Sequence, residues 1–178
     1  MEYNQRFKWM IKDFKYIKNV LDIKYCNQLT EYLFRQNITK KDWQCPKSFY
    51  FANLPPLNKV LIKCKDRIEQ ETGIELYPTY VYGRIYQPGE ILHEHTDRES
   101  CEISMTLTLG YDSHYNWPIK MFDTAIAIEV GDGVIYKGIE VPHSREEFLG
   151  NWHCQVFLHY VDKNGPYRDW KYDKHQRL

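Results

Sequence analysis

His93-Glu94-His95-Thr96-Asp97 puts two imidazoles and two carboxylates within five residues, and His143 follows Asp97 by 46 positions. Imidazole nitrogens and carboxylate oxygens are ligands for first-row divalent metals. Two histidines and one carboxylate on one face of an ion, with the opposite face open, are the set with which non-heme Fe(II) handles oxygen. In an extended segment residues i and i+2 share a face, so His95 and Asp97 can point at one ion. His93 and His95 share a face by the same rule, but that pair gives up the anionic ligand. We favour His95, Asp97 and His143, with Asp97 lowering the charge of a bound Fe(II) and His93 behind the site or at its entrance. An isolated His-x-Asp arises by chance in many proteins, so its surroundings must argue for it.

The elements around these residues form a consistent scaffold. Asp22 is a good helix N-cap, and Ile23, Cys26, Leu29, Leu33 and Phe34 recur at helical spacing up to about Arg35. Leu57, Val60, Leu61, Cys64 and Ile68 mark a second helix ending at Thr72-Gly73. Residues 37–56 read as an irregular connection with a short strand at 48–51, and residues 1–19 as an opening strand or arm. The chain then turns to β. Tyr80, Tyr82, Arg84 and Tyr86 alternate with Val81, Gly83 and Ile85, and Pro88-Gly89 turns toward the His-x-Asp. Ile103, Met105, Leu107 and Leu109 oppose Ser104, Thr106 and Thr108; further strands are expected at 117–122, 125–130, 134–136 and 153–161. Two helices followed by about eight short strands predict an α+β domain, helices packed on a sandwich or barrel that can hold a site.

Composition narrows the class. With 24 basic and 24 acidic residues among 178, no overall field favours nucleic acid or an acidic membrane. No run approaches the roughly 18–20 apolar residues of a membrane span, so a soluble, cytoplasmic, single-domain protein is expected. Five widely spaced cysteines without Cys-x-x-Cys disfavour both a disulfide framework and a thiolate zinc site. The loop around His114, Tyr115, Asn116 and Trp117 is packing or a lid, and the polar tail from 164 to 178 is expected to fray.

Tyr82-Gly83-Arg84-Ile85-Tyr86-Gln87-Pro88-Gly89-Glu90 leading into His95-Thr96-Asp97 resembles the Fe(II)/2-oxoglutarate-dependent dioxygenases, in particular their prolyl 4-hydroxylase-like branch. The pattern there is a strand with Arg-Tyr-x-x-Gly, then His-x-Asp, then a distal histidine. Arg84 and Tyr86 are separated by one residue here. Gly131-Asp132-Gly133-Val134-Ile135-Tyr136 resembles the family's approach to the distal histidine, His143, and Val20-Leu21-Asp22 its helical lead-in. The resemblance covers residues 18–163. It implies a double-stranded β-helix (jelly-roll or cupin-like) core behind two N-terminal packing helices. It also implies Fe(II) on His95, Asp97 and His143, with 2-oxoglutarate and O2 as co-substrates and ascorbate as an optional addition. Oxidative decarboxylation to succinate and CO2 would then accompany hydrogen abstraction from the substrate. Aspartate rather than Gly or Ala at 97 favours hydroxylation over halogenation.

One departure matters. The family usually supplies Arg or Lys nine or ten residues after the distal histidine to pair with the 5-carboxylate of 2-oxoglutarate. Here that residue is His153, which a buried carboxylate would keep charged. Lys120 and Arg145 are the other cations, and Tyr82, Tyr86 and Thr106 offer hydroxyls. We expect His153 with help from Tyr86. The resulting expectation is hydroxylation of a prolyl or similar side chain of a peptide or protein. The same chemistry on a free amino acid or small metabolite is the second reading, and a non-catalytic cupin-like metal module the third.

Overall fold

The structure is a computed structural model, which describes residues 12–36, 43–112 and 115–174. Helix α1 (Ile23–Phe34) starts where expected because the Asp22 carboxylate accepts from the Tyr25 N–H at 2.8 Å, an N-cap contributing about 1 kcal/mol. Its buried stripe is Cys26, Leu29, Thr30 and Leu33. Helix α2 (Pro55–Thr72) begins with prolines and stops at Gly73, whose φ of 75° is a left-handed C-cap. No helix is long and apolar enough to cross a membrane.

The strands are β1 (Phe14–Ile17), β2 (Phe49–Ala52), β3 (Leu76–Tyr86), β4 (Leu92–His95), β5 (Ile103–Tyr111), β6 (Ile119–Met121), β7 (Thr124–Ile126), β8 (Gly133–Tyr136), β9 (His143–Arg145) and β10 (His153–Asp162). They form two antiparallel sheets, a six-stranded one ordered β1-β8-β5-β10-β3-β2 and a four-stranded one ordered β4-β9-β6-β7. Strand alternation gives the large sheet two different faces. Val81, Ile85, Met105, Leu107, Cys154, Val156 and Leu158 pack with the stripes of both helices into one apolar core. The intervening residues, Tyr82, Arg84, Tyr86, Thr106, Thr108, His153, Gln155, Phe157 and His159, turn toward the small sheet. Polar groups therefore line the space between the sheets, and the helices cover the other side.

Several expected elements come out differently. Strands expected over 117–122 and 125–130 are only three residues each, and β9 is an additional strand whose His-Ser-Arg sequence carries no apolar pattern. The tail expected to fray is folded: Arg168–Lys174 lies against β3. The turn at 131–133 is more than a turn. The Asp132 carboxylate accepts from Tyr16 Oη at 2.7 Å and from the Asn19 N–H at 2.8 Å, tying the β1 end of the chain to β8.

Candidate metal centre and co-substrate pocket

His95 ends β4 and His143 begins β9, and the two are direct partners in the antiparallel register. Their rings lie 4.3 Å apart between centroids. Asp97 follows two residues after His95, anchored by its N–H to the Gly138 carbonyl at 2.8 Å. Asp97 Oδ1 is 3.9 Å from His95 Nε2 and 3.7 Å from His143 Nε2, and one donor atom from each of the three residues fits within 4.8 Å of the others. His93 is exposed and takes no part beyond its carbonyl.

The surroundings suit a cation. His95 Nδ1 donates to the His93 carbonyl at 2.8 Å and His143 Nδ1 to the Val141 carbonyl at 3.0 Å, which leaves both Nε2 atoms as lone-pair donors. Burial holds both imidazoles below their ordinary pKa, so both are neutral at pH 7, as ligands must be. Burial pushes the Asp97 carboxyl up to about 6, a charge that a divalent ion would stabilise. Behind it, His159 Nδ1 lies 2.9 Å from Ser104 Oγ, which donates to Asp97 Oδ2 at 3.2 Å. Asp97, Cys101 and His159 also bring ligand-type atoms together. Burial keeps the Cys101 thiol protonated, pushed up to about 12, so we read this group as the hydrogen-bonded backing of Asp97.

Sequence reasoning missed Gln44. Its amide oxygen accepts from Arg84 Nη2 at 3.3 Å, which turns the NH2 toward His95 Nε2 at 2.9 Å. The segment that carries it is pinned by Glu90, which accepts from the Lys47 N–H at 2.9 Å and Ser48 Oγ at 2.6 Å. No sequence signal in 37–56 distinguishes Gln44 from its neighbours. A cleft of about 430 Å3 opens from His95 and Asp97 and is lined by Trp43, Gln44, Tyr50, Tyr80, Tyr82, Arg84 and Arg98 among others.

The proposed co-substrate contacts separate clearly. Lys120 stands on the opposite side of β6 from buried Ile119 and Met121, beside Ser144, and does not face the interior. That corrects the expectation for Lys120. Tyr82 lines the open cleft, whereas Tyr86 is fully buried and its hydroxyl accepts from Arg84 Nη1 at 3.3 Å. His153 is fully buried among Tyr86, Tyr111, Trp117 and Phe148, and neither ring nitrogen has a hydrogen-bond partner. Burial, then the nearby Arg145 charge, holds its imidazole well below the ordinary value, so the charged form expected of it is disfavoured.

Arg145 is the buried cation near His153. Only 2% exposed, it donates to the Trp117 carbonyl and, at 2.7 Å, to Gln155 Oε1, which also accepts from Thr106 Oγ1 at 3.1 Å. Its guanidinium lies 4.8 Å from the Trp117 ring and 5.9 Å from that of Tyr86, both of which also wall His153. No carboxylate pairs with it among the described residues, and Nε has no partner. Trp117, at 1% exposure, is packed in a buried cluster and is not a lid; His114 lies outside the described residues.

No family model matches the sequence, and no curated protein is detectably similar to it. Solved structures are similar. A viral collagen prolyl hydroxylase from Paramecium Bursaria Chlorella virus-1, solved with 2-oxoglutarate, superposes with TM-score 0.68 at 12% identity over 84% of this chain and 96% of its own. A prolyl-4-hydroxylase from Pseudomonas putida gives 0.67 at 16% identity over 84% and 92%. HygX from Streptomyces hygroscopicus, with nickel and 2-oxoglutarate bound, gives 0.70 at 11% identity over 85% and 84%. The fold is the double-stranded β-helix of these oxygenases. At such identities the likeness speaks for the fold.

Proposed function

We propose that this chain is an Fe(II)- and 2-oxoglutarate-dependent oxygenase that hydroxylates a C–H bond. The observation that carries this reading is the convergence of three ligand-type atoms: the Nε2 atoms of His95 and His143, both held as acceptors by their Nδ1 bonds, and one buried Asp97 carboxylate oxygen, with the Gln44 amide NH2 capping His95 Nε2 at 2.9 Å where a metal would take its place. His95, Asp97 and His143 would hold the metal, which when bound supplies oxygen activation coupled to decarboxylation of the 2-oxo acid. The chain's own residues do the rest. Arg145 supplies the positive charge for the distal carboxylate of 2-oxoglutarate. A buried guanidinium without a counter-ion is costly, and a dicarboxylate ligand would provide one. His153, neutral, offers an otherwise unused N–H beside it. Tyr86, Trp117 and Phe148 exclude water from this end of the pocket, which strengthens the charge pairing. Thr106 positions the Gln155 amide against Arg145.

For the substrate, we favour a prolyl or similar side chain of a peptide. Support comes from the aromatic walls of the cleft, Trp43, Tyr50, Tyr80 and Tyr82, and from the prolyl hydroxylases among the structures of the same fold. A small-molecule substrate is the second reading: the cleft volume suits one, and HygX has been solved with hygromycin B bound. Purified protein supplied with Fe(II), 2-oxoglutarate and O2 should release succinate, and the release should rise with the true substrate. Proline-containing peptides stimulating turnover would support the first reading. Stimulation by free metabolites alone would support the second, and no succinate under any condition would remove both.

A further inference from the structure

We propose that Arg98 is the anion-recognition residue of the substrate cleft, that Asp173 of the C-terminal segment is its resident counter-ion, and that a carboxylate on the substrate takes the place of Asp173. This rests on the oxygenase reading in one respect, that the cleft is the substrate's path to the metal.

The cleft is cationic in a chain of zero net charge. Arg84 and Arg98 line it, and Asp97, committed to the metal centre, is the acid among its described lining residues. Arg98 directly follows Asp97. Its guanidinium sits 4.6 Å from the Tyr80 ring centre and 5.6 Å from that of Trp170. Nη2 donates to Asp173 Oδ2 at 3.0 Å, and Nη1 lies 2.9 Å from Oδ1. The tail thus reaches over to neutralise a cation in the cleft wall.

That contact is built to be exchanged. The Arg98 side chain is 48% exposed and that of Asp173 21%, so solvent reaches the pair from the arginine side, and ion pairs that solvent reaches are weak. Arg168–Lys174 contains no buried residue. It is held by the Arg98 pair, by the Trp170 indole donating to Glu99 Oε2 at 3.0 Å, and by Lys171 over the Tyr77 ring at 4.2 Å. Tyr172, Asp173 and Lys174 have φ of 53°, 53° and 62°, three consecutive non-glycine residues in the left-handed region. Such backbone persists only while its surroundings enforce it, and segments with few buried contacts open first. A free carboxylate offers Arg98 the same two oxygens without the strained backbone. Tyr80 and Tyr82, stacked with ring centres 6.1 Å apart, give an apolar body next to that carboxylate a surface to lie on. The substrate class is therefore a carboxylate attached to an apolar or planar group, such as an acidic residue or terminus of a peptide or an aromatic acid.

The test titrates acetate, benzoate and N-acetylaspartate, each against its amide, into protein holding Zn(II) and N-oxalylglycine so that the metal face is filled. Wild type, Asp173→Asn, Arg98→Gln and Arg98→Lys are compared, with the Trp170 indole N–H resonance reporting the tail. At least one carboxylate should bind Asp173→Asn about five- to tenfold more tightly than wild type, the scale of one ordinary net hydrogen bond. It should bind Arg98→Gln at least about fivefold more weakly than wild type, with Arg98→Lys between, and should move the wild-type indole resonance as the tail leaves. The amides should not discriminate among the four proteins. Equal carboxylate affinity in all four, or no saturable binding of any of the three acids by Asp173→Asn, would overturn the proposal. Failure of N-oxalylglycine itself to bind, measured before the acids are added, would instead count against the oxygenase reading.

Discussion

Replacing Arg145 with methionine separates stability from ligand binding. Burial pulls the Arg145 guanidinium down to about 10 from 12.5. At about 1.4 kcal/mol per pH unit, keeping that charge inside costs the fold about 3 kcal/mol. Methionine removes the cost and fills much of the same volume, but it forfeits the bonds to the Trp117 carbonyl and Gln155 Oε1. Charge-assisted bonds contribute about 1.5–3 kcal/mol each, so the two lost bonds offset the relieved cost at the low end and exceed it by about 3 kcal/mol at the high end; Gln155 keeps Thr106 as a partner, which favours the low end. We predict that Arg145→Met lowers the unfolding free energy by less than about 3 kcal/mol, where loss of one member of a buried ion pair costs about 3–5 kcal/mol. The ligand effect should be large. At about 100 times its dissociation constant, 2-oxoglutarate should add about 2.7 kcal/mol to the wild type and under about 0.5 kcal/mol to the variant. Urea denaturation with Ni(II), with and without 2-oxoglutarate, measures both. A variant destabilised by about 3 kcal/mol or more without ligand, or stabilised by 2-oxoglutarate as strongly as wild type, would refute the assignment of Arg145 as an ion awaiting its partner.

Two further predictions follow from the same surroundings. A Cβ at Gly138 would clash first with the Cys101 backbone carbonyl and would also stand 2.6 Å from Asp97 Oδ2 and 2.8 Å from Ser104 Oγ, so Gly138→Ala should destabilise the fold and, in the protein that still folds, displace the carboxylate and weaken Ni(II) binding by about 10- to 100-fold, read by calorimetry beside a denaturation curve; unchanged stability and affinity would contradict the packing described. Burial pushes the Glu102 carboxyl up to about 7, so between its unfolded value near 4.5 and pH 7 the folded state binds more protons and stability falls as pH rises. Glu102→Gln keeps an oxygen for the Asp162 N–H that Glu102 accepts at 2.8 Å. The variant should therefore gain on the order of 1–3 kcal/mol over wild type at pH 8 and little at pH 4.5, by denaturation at each pH; a constant difference would contradict the reading.

The pairing of His95 with Asp97 was legible because it rests on a local rule: alternation places them on one side, and the helix stripes and the Asp22 cap likewise carry their own periodicity and chemistry. His143 was named as the third candidate ligand, but the strand that carries it opposite His95 was not: β9 is His-Ser-Arg, with no apolar pattern to mark it as a strand. Arg145 entered as one cation of three because its distinguishing property, burial with no carboxylate beside it, exists only after the sheets close. The charged form of His153 is disfavoured for the same reason, since burial among four aromatic rings and the nearby Arg145 charge both act against it. Gln44 lies in an irregular segment held by Glu90 from another loop, a tertiary contact without a local signature. The tail looked frayed because it is polar and exposed, and it is held by Arg98 and Glu99, about 70 residues earlier in the chain, through side-chain contacts that stabilise weakly.

If His95, Asp97 and His143 hold a metal whose open face chelates 2-oxoglutarate, anaerobic titration of the purified protein with Fe(II) and then 2-oxoglutarate should produce the visible metal-to-ligand charge-transfer absorption of the chelate. The band should saturate at one equivalent, disappear in His95→Ala, and need much more 2-oxoglutarate in Arg145→Met. Iron bound without any band, or a band undiminished in His95→Ala, would contradict that chelate.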